Sequence, residues 1–154
     1  MEFLEVIEQL GAVRLLKASF VAYPIVNALH IAAIGTLLTS VVLLDLSILG
    51  RFRSMPQAAF VGLFRRLALG AFALAALTGI SLFSVKASDY AAMPVFLLKL
   101  GLIAAAAANF LVFSVLDRRR DEEERASLAL SFSAIASILL WSGVLLCGRF
   151  IGFL

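Results

Sequence analysis

The chain of 154 residues holds one cysteine, one histidine and one tryptophan, with three methionines and three prolines. A single cysteine, Cys147, excludes an intrachain disulfide and a paired-cysteine metal or redox site. A single histidine, His30, excludes the HExxH metalloprotease motif and an intramolecular bis-histidine haem site. Met1, Met55, Met93 and Cys147 are scattered along the chain and form no soft-ligand cluster for copper. No glycine-rich phosphate loop is present. Enzymatic chemistry within this chain is therefore not expected. Charge is also scarce, at 15% of residues where soluble domains carry about 25%. The basic residues flank apolar runs and are not interleaved with aromatics, which argues against nucleic-acid binding.

What is abundant is apolar sequence, 63% of the residues, with a mean hydropathy of +1.07. No side chain charged at neutral pH lies between Lys17 and Asp45, and His30 is the one imidazole there. None lies between Arg66 and Lys86, or between Arg125 and Arg149. Between Asp89 and Asp117 only Lys99 is charged. A membrane-spanning helix needs about 20 mostly apolar residues. The pattern predicts an all-α, up-down polytopic membrane four-helix bundle, with spans near 22–49, 63–85, 93–116 and 127–150 inside a membrane unit of 18–154.

Residues 1–17 read as one amphipathic helix at the membrane interface or docked on the bundle. Glu2, Glu5 and Glu8 recur at helical spacing, and Phe3, Leu4, Ile7 and Leu10 supply an apolar face. This acidic start lacks the pattern of a cleavable signal, so the first span is expected to act as a retained insertion signal. Gly50-Arg51-Phe52-Arg53-Ser54-Met55-Pro56 turns the chain, Arg65-Arg66 mark a polar end of span two, and Ala87-Ser88-Asp89-Tyr90 reads as a tight loop. The first and third connections carry Arg51, Arg53, Arg65, Arg66, Arg118, Arg119, Arg120 and Arg125, against Arg14, Lys17, Lys86 and Arg149 on the other side. The excess of basic residues predicts cytoplasmic connections and termini on the outer side of a bacterial inner membrane.

Ionisable groups inside a span are costly and are functional candidates. By the helical rise, His30 and Lys99 lie about 7–9 Å outward of the midplane. Ser81 reaches a similar level, Asn27 lies one turn above His30, and Trp141 lies slightly deeper. Asn27, His30, Ser81, Lys99 and Trp141 are thus candidates for one polar layer. Arg149, at the end of span four, is a candidate to help bind an anionic group beside Lys99 or to anchor at the interface. Asp45 is expected to pair with an arginine at the membrane edge. Asn109, after the run Ala104 to Ala108, is expected to bond across a close helix contact. A faint repeat relates Tyr23-Pro24, His30 and Asp45 to Met93-Pro94, Lys99 and Asp117. It fits either a pseudo-two-fold site lined by His30 and Lys99 or entry and exit signals common to all spans.

Tyr23-Pro24-Ile25-Val26-Asn27-Ala28-Leu29-His30, followed by Asp45-Leu46-Ser47-Ile48-Leu49-Gly50, resembles small four-span bacterial membrane proteins of unknown function. These carry a Tyr-Pro entry, a histidine in span one and an Asp-Leu-x-Leu-Leu-Gly exit. Lys99, Trp141 and the ending Gly148-Arg149-Phe150-Ile151 are similar too. More distantly, the layout resembles membrane domains of copper-resistance D type. The resemblance implies a fold and a set of residues, and no reaction.

Three functional expectations follow. The first is a non-enzymatic small subunit or accessory component, self-associated or in a larger membrane complex, with His30 and Lys99 in a structural polar layer. The second is a site for b-type haem or a quinone, with His30 as iron ligand or hydrogen-bond partner and Lys99 or a second His30 completing a haem site. The third is a proton-coupled or anion carrier, which requires an oligomer.

Overall fold

The computed structural model describes residues 2–52, 54, 56–118 and 125–153, with backbone alone at 2, 57, 116–118 and 125–127. Met55, Arg53, Arg119, Arg120 and the acidic run 121–124 lie outside the described residues, as do the side chains of Asp117, Arg118 and Arg125. Every element is helical: α1 (Glu2–Gln9), α2 (Gly11–Ala18), α3 (Ala22–Ile48), α4 (Gln57–Val85), α5 (Ala87–Ala92), α6 (Pro94–Arg118) and α7 (Arg125–Ile151). Four of these are long and apolar enough to cross a membrane: Ala22–Ile48, Ala58–Val85, Pro94–Val115 and Leu128–Ile151. Their continuous leucine and alanine content favours helix, and in lipid a helix satisfies every backbone donor internally. Large apolar side chains such as Ile31, Leu77, Leu111 and Leu139 face outward from these helices. That pattern suits a lipid solvent and makes the chain a multi-pass membrane protein.

The ends of the elements follow local chemistry. Ser19 Oγ accepts from the backbone of Ala22 at 3.0 Å and caps the start of α3. At its far end, Arg51 N donates to Leu46 O and Gly50 N to Ser47 O, both at 3.0 Å. This is a Schellman closure, and Gly50 takes the required positive φ of 83°. Helix α4 starts directly after Pro56, earlier than the expected position near 63, because the apolar pattern already resumes at Ala58. Arg65 and Arg66 therefore ride inside the helix, where long stems can carry their charge to the membrane edge.

Two local features depart from expectation. The N-terminal segment is not one helix, because the backbone is extended at Leu10 and α2 restarts at Gly11. Glycine loses most entropy in a helix, so a break there is cheap. The stretch after Lys86 is a short helix, α5, where a tight loop was expected. Glu8 accepts from Ser88 N at 2.9 Å and ties α1 to the start of α5. That hydrogen bond holds the Glu8 carboxyl below its ordinary range. The α1–α2 pair docks on α4 and α5 and still exposes Phe3, Val6 and Leu15.

Helix packing defines two hairpins, α3 with α4 and α6 with α7, joined where α3 meets α7. The seam between α3 and α7 is closed. Asp45, buried on α3, is hydrogen-bonded by Ser137 of α7. The expected arginine pairing of Asp45 is absent among the described residues, because its carboxyl points into the bundle and not toward the membrane edge. Asn109 and Ser133 bond reciprocally across α6 and α7 at 2.9 and 3.0 Å. At the fourth seam the backbones stay apart. Among the described residues, no Cα of α4 lies within 8 Å of a Cα of α6. The bundle is thus a row, α4–α3–α7–α6, curved so that its two outer helices face each other across a cleft.

Candidate functional site

The cleft holds two cavities of about 420 and 380 Å³ that meet at Leu37, Phe72, Ile103 and Trp141. The floor is α3 and α7, and the walls are α4 and α6. Ile80 and Leu100, on the two walls, are 66% and 47% exposed, so the cavity is open between those helices. At the α5 end, Phe83 of α4 and Phe96 of α6 stack at 5.2 Å with an interplanar angle of 8°. Tyr90 of α5 stacks on the same pair. Burial, with Tyr23 and Asp89 beside it, raises the Tyr90 phenol above its ordinary range. The three rings close that end of the cleft and leave the long side facing the membrane.

His30 and Lys99 are the ionisable groups of the first cavity. They come from separate hairpins. The imidazole of His30 sits on Gly79 of α4, where a Cβ would lie 3.0 Å from its Cε1. Its Nδ1 is 2.9 Å from Thr78 Oγ1. Thr78 is buried, and its own hydroxyl donates to Leu74 O at 2.6 Å. Glycine at 79 makes the close approach possible, and threonine at 78 supplies the partner. These adjacent residues hold the ring rigidly.

Lys99 is held differently. Its Nζ is 3.5 Å from the Cβ position of Gly148 on α7, and Cys147 lies beside it. No acidic residue lines this cavity among the described residues. A lysine deep in a bilayer costs about 2.5–3.5 kcal/mol on insertion scales. A single interhelical hydrogen bond returns about 0.6–2 kcal/mol. Lys99 has no such return from a carboxylate in the cavity.

Trp141 borders both cavities and meets Phe72 edge-on at 6.2 Å. The other two expected members of the polar layer, and Arg149, lie elsewhere. Asn27 is exposed on α3 and does not line the cavity. Ser81 bonds within its own helix, to Leu77 O at 2.9 Å, because its position turns away from the cleft. Arg149 is exposed, with its guanidinium 4.4 Å from the Phe153 ring centroid. That contact suits an interface anchor. Thr78, Gly79 and Gly148 were not among the site residues expected from the sequence. The second cavity adds Arg65, Asn109 and Ser137 at the opposite end of the cleft. Among the described residues no group of three metal-ligating side chains occurs.

No family model, curated protein or solved structure matches the chain.

Proposed function

We propose that this chain is a non-enzymatic membrane protein, a small subunit or accessory component, that holds a quinone-class molecule in the cleft between α4 and α6. One observation carries the reading: His30 and Lys99, from separate hairpins, open into one otherwise apolar cavity between helices whose backbones stay apart. A lipophilic molecule with an oxygen-bearing ring enters sideways from the bilayer. Its ring lies against Trp141 and Phe72, its oxygens reach Lys99 and His30, and its tail follows the second cavity. Ligand sites of this kind are mostly apolar with a few converging polar groups. The excess of basic residues in the first and third connections supports a bacterial inner-membrane location with both termini outside.

The test uses Trp141, the one tryptophan in the chain, as an internal reporter. A decyl-substituted benzoquinone titrated into the protein in detergent micelles is expected to quench Trp141 saturably. Lys99→Met is expected to weaken the apparent affinity about tenfold, the worth of one charge-assisted hydrogen bond. Quenching that rises linearly, identical in the variant, would mean partition into the micelle and no site. The visible spectrum of the protein as purified is the second check. Reduced b-type haem bands that vanish in His30→Ala would replace the quinone reading with a haem site.

A further inference from the structure

The hydrogen bonds around His30 decide what its free nitrogen offers. The Thr78 hydroxyl has one proton, and at 2.6 Å it gives that proton to Leu74 O. Its oxygen is left as an acceptor, so the atom facing it at 2.9 Å, His30 Nδ1, carries the hydrogen. In the neutral ring the other nitrogen, Nε2, then bears a lone pair. His30 borders the cavity, and the hydrogen bond that its side chain makes to the protein is the one at Nδ1. Lys99, on the facing hairpin, has the opposite character, with protons to give and no lone pair.

Resting on the reading of the cleft as a quinone-class site, we infer that it selects the reduced, hydroxyl-bearing form of its ligand. A hydroquinone or phenol gives its O–H to His30 Nε2, and its second ring oxygen accepts from Lys99. A quinone has acceptors only. It satisfies Lys99 and sets its other carbonyl against the lone pair of Nε2, which is repulsive. Buried polar sites reject a partner that leaves a group unpaired more strongly than they reward a good one. The relay His30 Nδ1–H to Thr78 to the Leu74 carbonyl thus acts as the specificity device, and Thr78 is a positioning residue working through His30.

The experiment separates this inference from the reading beneath it. With the decyl-benzoquinone bound and Trp141 quenched, 4-decyloxyphenol and its methyl ether are added as competitors, and recovery of fluorescence reports displacement. The two share tail and ring and differ in one O–H. The phenol is expected to displace the quinone at an about tenfold lower concentration than the ether. Thr78→Val frees Nδ1 from its acceptor, so the ratio is expected to fall to within about twofold while quinone quenching persists. His30→Asn, which lacks Nε2, gives the same collapse and serves if the valine variant does not fold. Equal displacement by phenol and ether in the native protein overturns the inference and leaves the quinone site standing. A preference that survives both substitutions also overturns it, since the hydroxyl is then read elsewhere. Absence of saturable quenching overturns the inference together with the site.

Discussion

Two seams face each other in this bundle, and only one is closed. Where α3 meets α7 the helices pack, and Asp45 bonds to Ser137. Where α4 faces α6 no backbone contact forms among the described residues, and a cleft remains. If the sequence repeat relates α3 to α6 and α4 to α7, these two seams are counterparts. Side-chain size separates them. Helices α3 and α7 bury small groups, including Ala33, Ser40 and Ala134, and small residues let backbones approach in lipid. The walls of the cleft carry Phe72, Phe83, Phe96, Lys99 and Ile103, which hold α4 and α6 apart. The closed seam supplies stability, and the open one leaves the cleft in which the proposed ligand would sit. The same split appears in the two basic groups, for His30 is bonded and fixed while Lys99 is unpaired by any acid of the cavity.

The comparison can be broken most strongly at the closed seam. Ala134 is 1% exposed and lies one turn from Ser137 on the same face of α7. Ala134→Leu is expected to cost about 1–3 kcal/mol through overpacking, read as a lower unfolding midpoint in mixed micelles. Next comes the bond that holds the second hairpin. Asn109→Ala removes both of its hydrogen bonds to Ser133 and is expected to cost about 1 kcal/mol in the same measurement. The sharpest contrast is Ala76→Leu, the same chemical change as at Ala134 placed in the cleft wall. Its expected cost is within about 0.5 kcal/mol, yet it narrows the cavity, so saturable quenching of Trp141 by the quinone is expected to be lost. Equal destabilisation by the two leucines would remove the distinction between the seams.

The smallest effect lies outside the spans. The folded-state pKa of Glu8 is depressed, so its bond to Ser88 contributes fully above the ordinary carboxyl value near 4.5. That contribution is lost as the pH falls through the lower folded value. Hydrogen exchange at the Ser88 amide is expected to quicken there, and Glu8→Gln is expected to flatten the pH dependence.

The all-α class, the four spans and the arginine-rich connections were legible in the amino-acid order alone. A bilayer sets span length, forbids unpaired backbone and makes charge expensive, so each constraint acts on local composition. The same cost singled out His30 and Lys99, the groups whose presence inside a span demands a reason. What order could not decide was which way each helix face turns and which helices touch. Ser81 was expected at the level of His30 and Asn27 one turn above it, yet neither lines the cleft, because depth depends on distance along the chain and facing depends on packing. Nearly uniform apolar helices give little sign of their inner face, since lipid and protein interiors are alike to leucine. The separation of the α4 and α6 backbones, the seat of His30 on Gly79 and its bond to Thr78 exist only where separate helices meet. Tertiary structure therefore decided the site, while the membrane as solvent had already decided the fold.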